Sequence, residues 1–345
     1  GIRYKYGLFK QQFKNGFQKE LPDDWQSFGD PWSVRKEKEK VKIDFADQSV
    51  YAVPYDMPMI GYGAGTVNTL RLWQAEPVES FNFELFNQQR YDLAVKNKNE
   101  AEAISSLLYP NDSTDEGKKL RIKQEYFFTS ATLQDVVRRY KAKHGKDFGN
   151  FSKEYVFQLN DTHPVFAIPE LIRLLVENEG VAFARAFRIA RESFAYTNHT
   201  IMAEALEKWN VSLIKSVVPR IFEYIDLINK ELIKELEIFG IRTEQEQKKY
   251  LIIEGDTVHM ARLAIYVSRS VNGVAKIHTE ILKKDALKEW HRLYPERFNN
   301  KTNGISQRRW LALANMELAE FITDKIGDSW ITNLECLKNL EKFAS

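Results

Sequence analysis

Three short polar strings carry the side chains best suited to chemistry: Asn160-Asp161-Thr162-His163, Tyr196-Thr197-Asn198-His199-Thr200 and Asn299-Asn300-Lys301-Thr302-Asn303-Gly304. Each places a group that can accept a hydroxyl proton beside groups that donate. A sugar ring displays several hydroxyls, each both donor and acceptor, so a site that reads them needs carboxylate, amide and imidazole groups together. An apolar pocket alone cannot do this. Each string also has a purely structural use. Asp161 fits the N-cap of a helix beginning near Pro164 to Ala167, Asn198 or Thr200 fits the cap of one around Glu204, and Asn303-Gly304 fits an ordinary turn.

A second constellation is cationic. Arg71, Arg138 and Arg139 could clamp a phosphate or carboxylate bidentately, or the adjacent pair could lie on a solvated helix face. His259 and His278 stand beside apolar residues and read as structural histidines, while His144 and His291 read as surface residues. Gly61-Tyr62-Gly63-Ala64-Gly65-Thr66 begins like a dinucleotide loop, but Thr66 replaces the third glycine and strands follow, so it reads as a flexible turn. The phosphate-loop, His-Glu-x-x-His and Gly-x-Ser-x-Gly patterns do not occur.

The elements that must position these groups belong to a chain of 345 residues, 43% hydrophobic and 13% aromatic, which is long enough for an ample core. Charges nearly cancel at +2, so no global field favours nucleic acid or anionic lipid as a partner. One cysteine, Cys336, excludes an internal disulfide, and no Cys/His cluster has zinc spacing. With no apolar run of membrane-spanning length, the expectation is a cytoplasmic, metal-free protein. The sequence starts without Met at Gly1-Ile2-Arg3-Tyr4, which suggests a trimmed or partial chain.

The first 75 residues alternate as strands do, with Val41, Ile43 and Phe45 among the inward positions. A mostly polar helix is expected over about 88–108, ended by Tyr109-Pro110 and followed by a flexible loop over 111–117. Another helix is expected at about 119–142, with Leu133, Val136, Val137 and Tyr140 on one side. Tyr155 to Leu159 reads as a buried strand that runs into the first polar string, and a helix from Ala167 follows. That strand–polar turn–helix unit is the arrangement in which α/β sheets hold ligands at strand carboxyl ends. Further helices are expected at 182–195, 204–239, 257–270, 276–286 and 308–326.

Taken together, the strings Gln158-Leu-Asn-Asp-Thr-His-Pro164, Tyr196-Thr-Asn-His-Thr200, Val271-Asn-Gly-Val-Ala-Lys-Ile-His278 and Asn300-Lys-Thr-Asn-Gly-Ile305 followed by Arg308-Arg309-Trp310 closely resemble those of the α-1,4-glucan phosphorylases. Gly1-Ile-Arg-Tyr4, Arg71-Leu-Trp73, Tyr109-Pro-Asn-Asp112 and Leu120-Arg-Ile-Lys-Gln-Glu-Tyr126 extend the resemblance along nearly the whole chain. It implies an α/β protein of GT-B architecture, two Rossmann-like domains across a cleft. Residues 1–300 would form most of a helix-rich N-terminal domain and 301–345 the start of the C-terminal one. It also implies retaining transfer of a glucosyl unit from an α-1,4-glucan to phosphate, giving glucose-1-phosphate, with pyridoxal phosphate assisting and a homodimer in which the 88–108 helix is a candidate contact.

The same resemblance assigns roles. His199 would face the glucosyl unit, its main-chain carbonyl toward the developing positive charge and its ring near the 6-hydroxyl, which Asn303 would also hold. Asp161 and His163 would hydrogen-bond sugar, Glu204 would lie on a substrate-side loop, and Asp112 and Ser113 on a mobile gate. Trp310 would pack beside the cofactor. Arg71, Arg138 and Arg139 match positions that hold a nucleotide phosphate in regulated members. Ser113, Thr114 and Asp115 depart from the muscle enzymes' pattern at the gate, as do Ala203 and Gln307 where those enzymes carry Pro. The cofactor lysine and the residues that grip substrate phosphate have no counterpart here, so the chain by itself is expected to be inactive. The alternative is a non-catalytic fragment that keeps residual oligosaccharide or anion binding.

Overall fold

The computed structural model describes every residue except 64, 203–205 and 345, and the side chains of all these but residues 8 and 9. The early alternation produces antiparallel structure. Strands β1 (Gly7–Lys14) and β2 (Phe17–Asp23) form a hairpin, and β3 (Val34–Arg35), β4 (Val41–Asp44), β5 (Ser49–Ile60) and β6 (Val67–Pro77) form a second sheet around β5. Ile43, Val50, Ala52, Trp73 and Ala75 turn one side of that sheet into the main core.

The helix Asp115–His144 packs against it. It starts where Thr114 caps the Gly117 N–H and stops at Gly145, whose positive φ of 63° ends the helical path. Its buried face, Ile122, Tyr126, Phe127, Leu133, Val137 and Tyr140, follows the helical repeat.

A parallel sheet then carries the polar strings. Strands β7 (Phe157–Asn160) and β8 (Phe194–Thr197) pair in register, β9 (Lys208–Asn210) joins β10 (Ile253–Glu254) and β11 (Thr257–His259) in a small antiparallel sheet, and β12 (Val271–Gly273) and β13 (Phe298–Asn300) complete the parallel one. Its order is β7-β8-β12-β13, every pair parallel. All four strands therefore end at the same edge, because parallel neighbours need crossovers that return the chain to its starting side. The crossovers are helical, including Ala167–Arg173, Phe183–Ser193, Met260–Val267 and Lys276–Ile281.

Several sequence expectations are corrected. The 88–108 helix is two short pieces, Tyr91–Ala94 and Lys96–Ala103, because its apolar stripe is too sparse to hold one straight element against β6. The flexible loop is shorter, since Asp115–Gly117 is already the first turn of the long helix. The 204–239 span contains β9 and two helices, Val211–Val217 and Pro219–Ile238, parted before Pro219, which cannot donate into a preceding turn. The 257–270 span opens with β11 before its helix, and 308–326 breaks at Asn315, which caps Met316–Ile326. His144 is not a free surface residue: it stacks 4.5 Å from Tyr140 and lies 2.7 Å from Glu154. His291 packs edge-on to Phe298.

A second cluster, Ala319, Ile322 and Trp330 with Leu337 and Leu340 packed on it, is separate from the main core. Among the described residues no helix is long and apolar enough to cross a membrane.

Candidate active site

The carboxyl ends of the four parallel strands lead into the polar strings and are tied to one another. Asp161 N–H donates to the Thr197 carbonyl (2.9 Å), Asn198 N–H to that of Asn272 (2.9 Å), Lys301 N–H to that of Gly273 (3.1 Å) and Asn303 N–H to that of Val274 (3.0 Å). Side chains continue the ladder: Gln158 Nε2 donates to Thr197 Oγ1 and Thr197 Oγ1 to Asn272 Oδ1, each at 2.8 Å. Asn198, fully buried, donates to the Tyr196 hydroxyl and accepts from Thr200 N–H. This network fixes where the turns stand.

On it, His199 is exposed, with Nε2 donating to Asn160 Oδ1 at 2.6 Å. Asp161 does not cap a helix. It sits at φ +66°, a left-handed conformation that aspartate tolerates better than most residues, and its Oδ1 accepts from Thr162 N–H at 2.7 Å. Asn303 is exposed, and its N–H donates to the Val274 carbonyl. Glu204 and Ala203 lie outside the described residues.

His163 and Asp112 share a cavity of about 540 Å³ with Tyr109, Arg121, Glu207 and Lys208. Behind His163 stand two carboxylates absent from the sequence-based site. His163 Nδ1 is 3.5 Å from Glu125 Oε1 and 3.5 Å from Glu207 Oε1. The neighbouring acids, Glu125 first and then Glu207, push His163 up to about 10. Burial, followed by the nearby Glu207 charge, drives Glu125 well above the usual carboxylate range. Burial would lift Glu207 too, but His163 and Glu125 hold it below that range. The ligand atoms of the three lie within 4.8 Å of one another. Arg121 Nε also stands 3.2 Å from Glu125 Oε1, so a second basic side chain joins the cluster. Its sequence signal was an acid, Glu125, on the buried face of a helix otherwise lined by Ile122, Tyr126 and Leu133.

A family model described as carbohydrate phosphorylase matches residues 1–345. The chain belongs to this family. It is 43% identical to the liver form of glycogen phosphorylase from Homo sapiens, 44% to the liver form from Bos taurus and 43% to the brain form from Rattus norvegicus. Each match covers 99% of this chain and 43% of the relative, so the chain spans about two fifths of the length of these curated relatives.

Two further groups named from the sequence lie away from the strand ends. The three arginines come together, but on acids: Arg71 holds Asp56 bidentately at 2.7 Å and reaches Asp135 (2.9 Å) and Glu39 (2.8 Å). Arg138 and Arg139 meet the same Asp135 at 2.6 and 2.9 Å, and both side chains remain about half exposed. Trp310 is 72% exposed on the helical turn Arg308–Leu313. Ser113 N–H donates to Asn111 Oδ1, which fixes the stretch between Pro110 and the long helix.

Proposed function

We propose that these residues form the glucosyl-binding part of an α-1,4-glucan phosphorylase that moves a terminal glucosyl unit to phosphate with retention, yielding glucose-1-phosphate. The observation that carries this reading is the meeting of the strand ends: four parallel strands deliver imidazole, carboxylate and amide groups to one edge on a hydrogen-bonded ladder. Such an edge is where open α/β sheets bind ligands. The 43% identity to glycogen phosphorylases supports the substrate class.

In this mechanism the His199 carbonyl faces the positive charge that develops at the anomeric carbon, and the His199 ring and Asn303 amide hold the 6-hydroxyl. Asp161 accepts from, and His163 donates to, sugar hydroxyls. Asp112 and Ser113 belong to the gate over the cavity that His163 lines, and Glu204 to the substrate-side loop. Positioned charges of this kind act through preorganisation, which loses most of its effect when part of the constellation is missing.

Pyridoxal phosphate would supply acid–base help through its own phosphate. Trp310, whose indole is 72% exposed, would pack beside it. The reading also proposes a GT-B arrangement with a domain change near residue 301, a cytoplasmic homodimer with Tyr91–Ala103 at its contact, and anion binding by Arg71, Arg138 and Arg139.

The test is phosphate release from glucose-1-phosphate with a maltooligosaccharide primer, using the complete enzyme. Asp161→Asn and His199→Ala should each cut kcat by at least about 100-fold, the scale of a lost positioned group, with the fold retained. Wild-type rates in both would remove the assignment.

A further inference from the structure

Glu125 is 1% exposed, and among the described residues neither of its carboxylate oxygens has a hydrogen-bond partner of good geometry; Glu207 Oε2 is likewise without one among them. Two buried carboxylates this close cannot both ionise without a cation, and a buried polar atom left unpaired is costly. His163 Nδ1 lies equally far from one oxygen of each, which makes the imidazole their common partner.

We infer that Glu125 and Glu207 are positioning residues, an acid pair that holds His163 as an imidazolium whose Nε2–H is a donor into the cavity. The acceptor it suits is a sugar hydroxyl oxygen, and in that respect the inference rests on the phosphorylase reading.

The geometry gives each group a task. Nδ1 faces acids, so it must carry a proton. In a neutral ring that would leave Nε2 an acceptor, whereas in the imidazolium both nitrogens donate. Glu207 places a carboxylate oxygen 3.5 Å from Nδ1, where its charge favours the imidazolium. The other charged and titratable groups around the ring do not undo this. Arg121 on the same helix pairs with Glu125, and Asp161 stands two residues away. Lys208, Asp112 and Lys118 line the cavity, and Tyr4, raised to about 12 chiefly by its burial, stays neutral. An ordinary histidine that is 49% exposed would change charge across physiological pH. This one presents the same donor throughout.

The test uses acylation by diethyl pyrocarbonate, which attacks only neutral imidazole, mapped by mass spectrometry on the intact protein. His199, also exposed, is the internal reference. At pH 7 a ring poised near 10 is neutral in only about one molecule in a thousand, so His163 should react at least about 100-fold more slowly than His199 despite its exposure. Glu207→Gln should move the His163 midpoint down by about 1–3 pH units and speed its acylation at least tenfold.

Comparable rates for His163 and His199 in the wild-type protein would overturn the inference without any variant needing to fold. So would protection that vanishes on adding a chelator, which would reveal a metal ion as its source. In Glu207→Gln protein, maltoheptaose should slow His163 acylation. If it does not, the glucan assignment and the donor role fall, while the labelling rates alone still decide the imidazolium.

Discussion

Gly273, the last residue of β12, sits where the strand meets the first turn of the helix Lys276–Ile281. A Cβ added there would lie 2.5 Å from Thr279 Oγ1, 2.8 Å from His278 Nδ1 and 3.0 Å from the Thr279 Cα, and the last contact is with backbone that cannot swing aside. The crowded atoms are in use. His278 Nδ1 accepts from Val274 N–H (3.1 Å), and Thr279 Oγ1 donates to Asn300 Oδ1 (3.0 Å) at the end of β13. Gly273→Ala must therefore push the helix off the sheet edge or break both bonds. Overpacking costs about 1–3 kcal/mol and a buried hydrogen bond about 1 kcal/mol. The lower entropy of the unfolded alanine chain returns about 0.4–1 kcal/mol.

A net loss of about 1–3 kcal/mol follows from these terms. With an unfolding entropy of about 0.7 kcal/mol per kelvin for a chain of this length, the melting midpoint should fall by about 1–4 °C. Gly304→Ala is the matched control, because nothing lies within 4 Å of a Cβ built there. It keeps the entropy gain without the collision, so its midpoint should stay level or rise slightly. Differential scanning fluorimetry of the two variants decides the matter. A Gly273→Ala midpoint equal to or above that of Gly304→Ala would refute the claim that close packing of strand end on helix holds the site's edge.

Asp161→Asn should fold as stably as wild type, whereas Asp161→Ala should lose about 1–2 kcal/mol in a denaturant titration, because alanine tolerates the +66° φ poorly. Asp135→Asn withdraws the carboxylate that Arg71, Arg138 and Arg139 share; whatever it costs in stability, millimolar phosphate should then raise the melting midpoint more than it does in wild type. Glu125 is held protonated by burial, so it binds more protons folded than unfolded, and its contribution to stability declines as pH rises above the ordinary carboxylate range. Glu125→Gln should accordingly gain stability relative to wild type, by a margin larger at pH 8 than at pH 5 in thermal melts.

Regular patterns made much of the fold legible. The alternation around Val41, Ile43 and Phe45 became a strand pair, and the stripe through Leu133, Val137 and Tyr140 became a helix, because period and burial agree there. Expectations failed where tertiary pairing overrode local preference. Lys208–Asn210 and Thr257–His259 look helical beside their neighbours, yet each forms a strand because it finds the other: Trp209 lies opposite Val258, and both are buried. Nothing within either stretch announces a partner nearly fifty residues away.

The site divides along the same line. Asp161, His163 and His199 were legible because each follows an apolar strand, and strand ends are where a sheet exposes polar side chains. Glu125 and Glu207 were not, since one is hidden in mid-helix and the other follows a loop. Their meaning lies in a meeting between distant segments: only when the long helix and the start of β9 close behind His163 does the imidazole acquire two acids at 3.5 Å. The arginines teach the converse. Their convergence was a fair guess from sequence, but the acids that neutralise them, Glu39, Asp56 and Asp135, come from three separate elements. A cationic cluster in a sequence is thus an anion site only to the extent that the fold leaves it short of carboxylates, and that balance is set by packing.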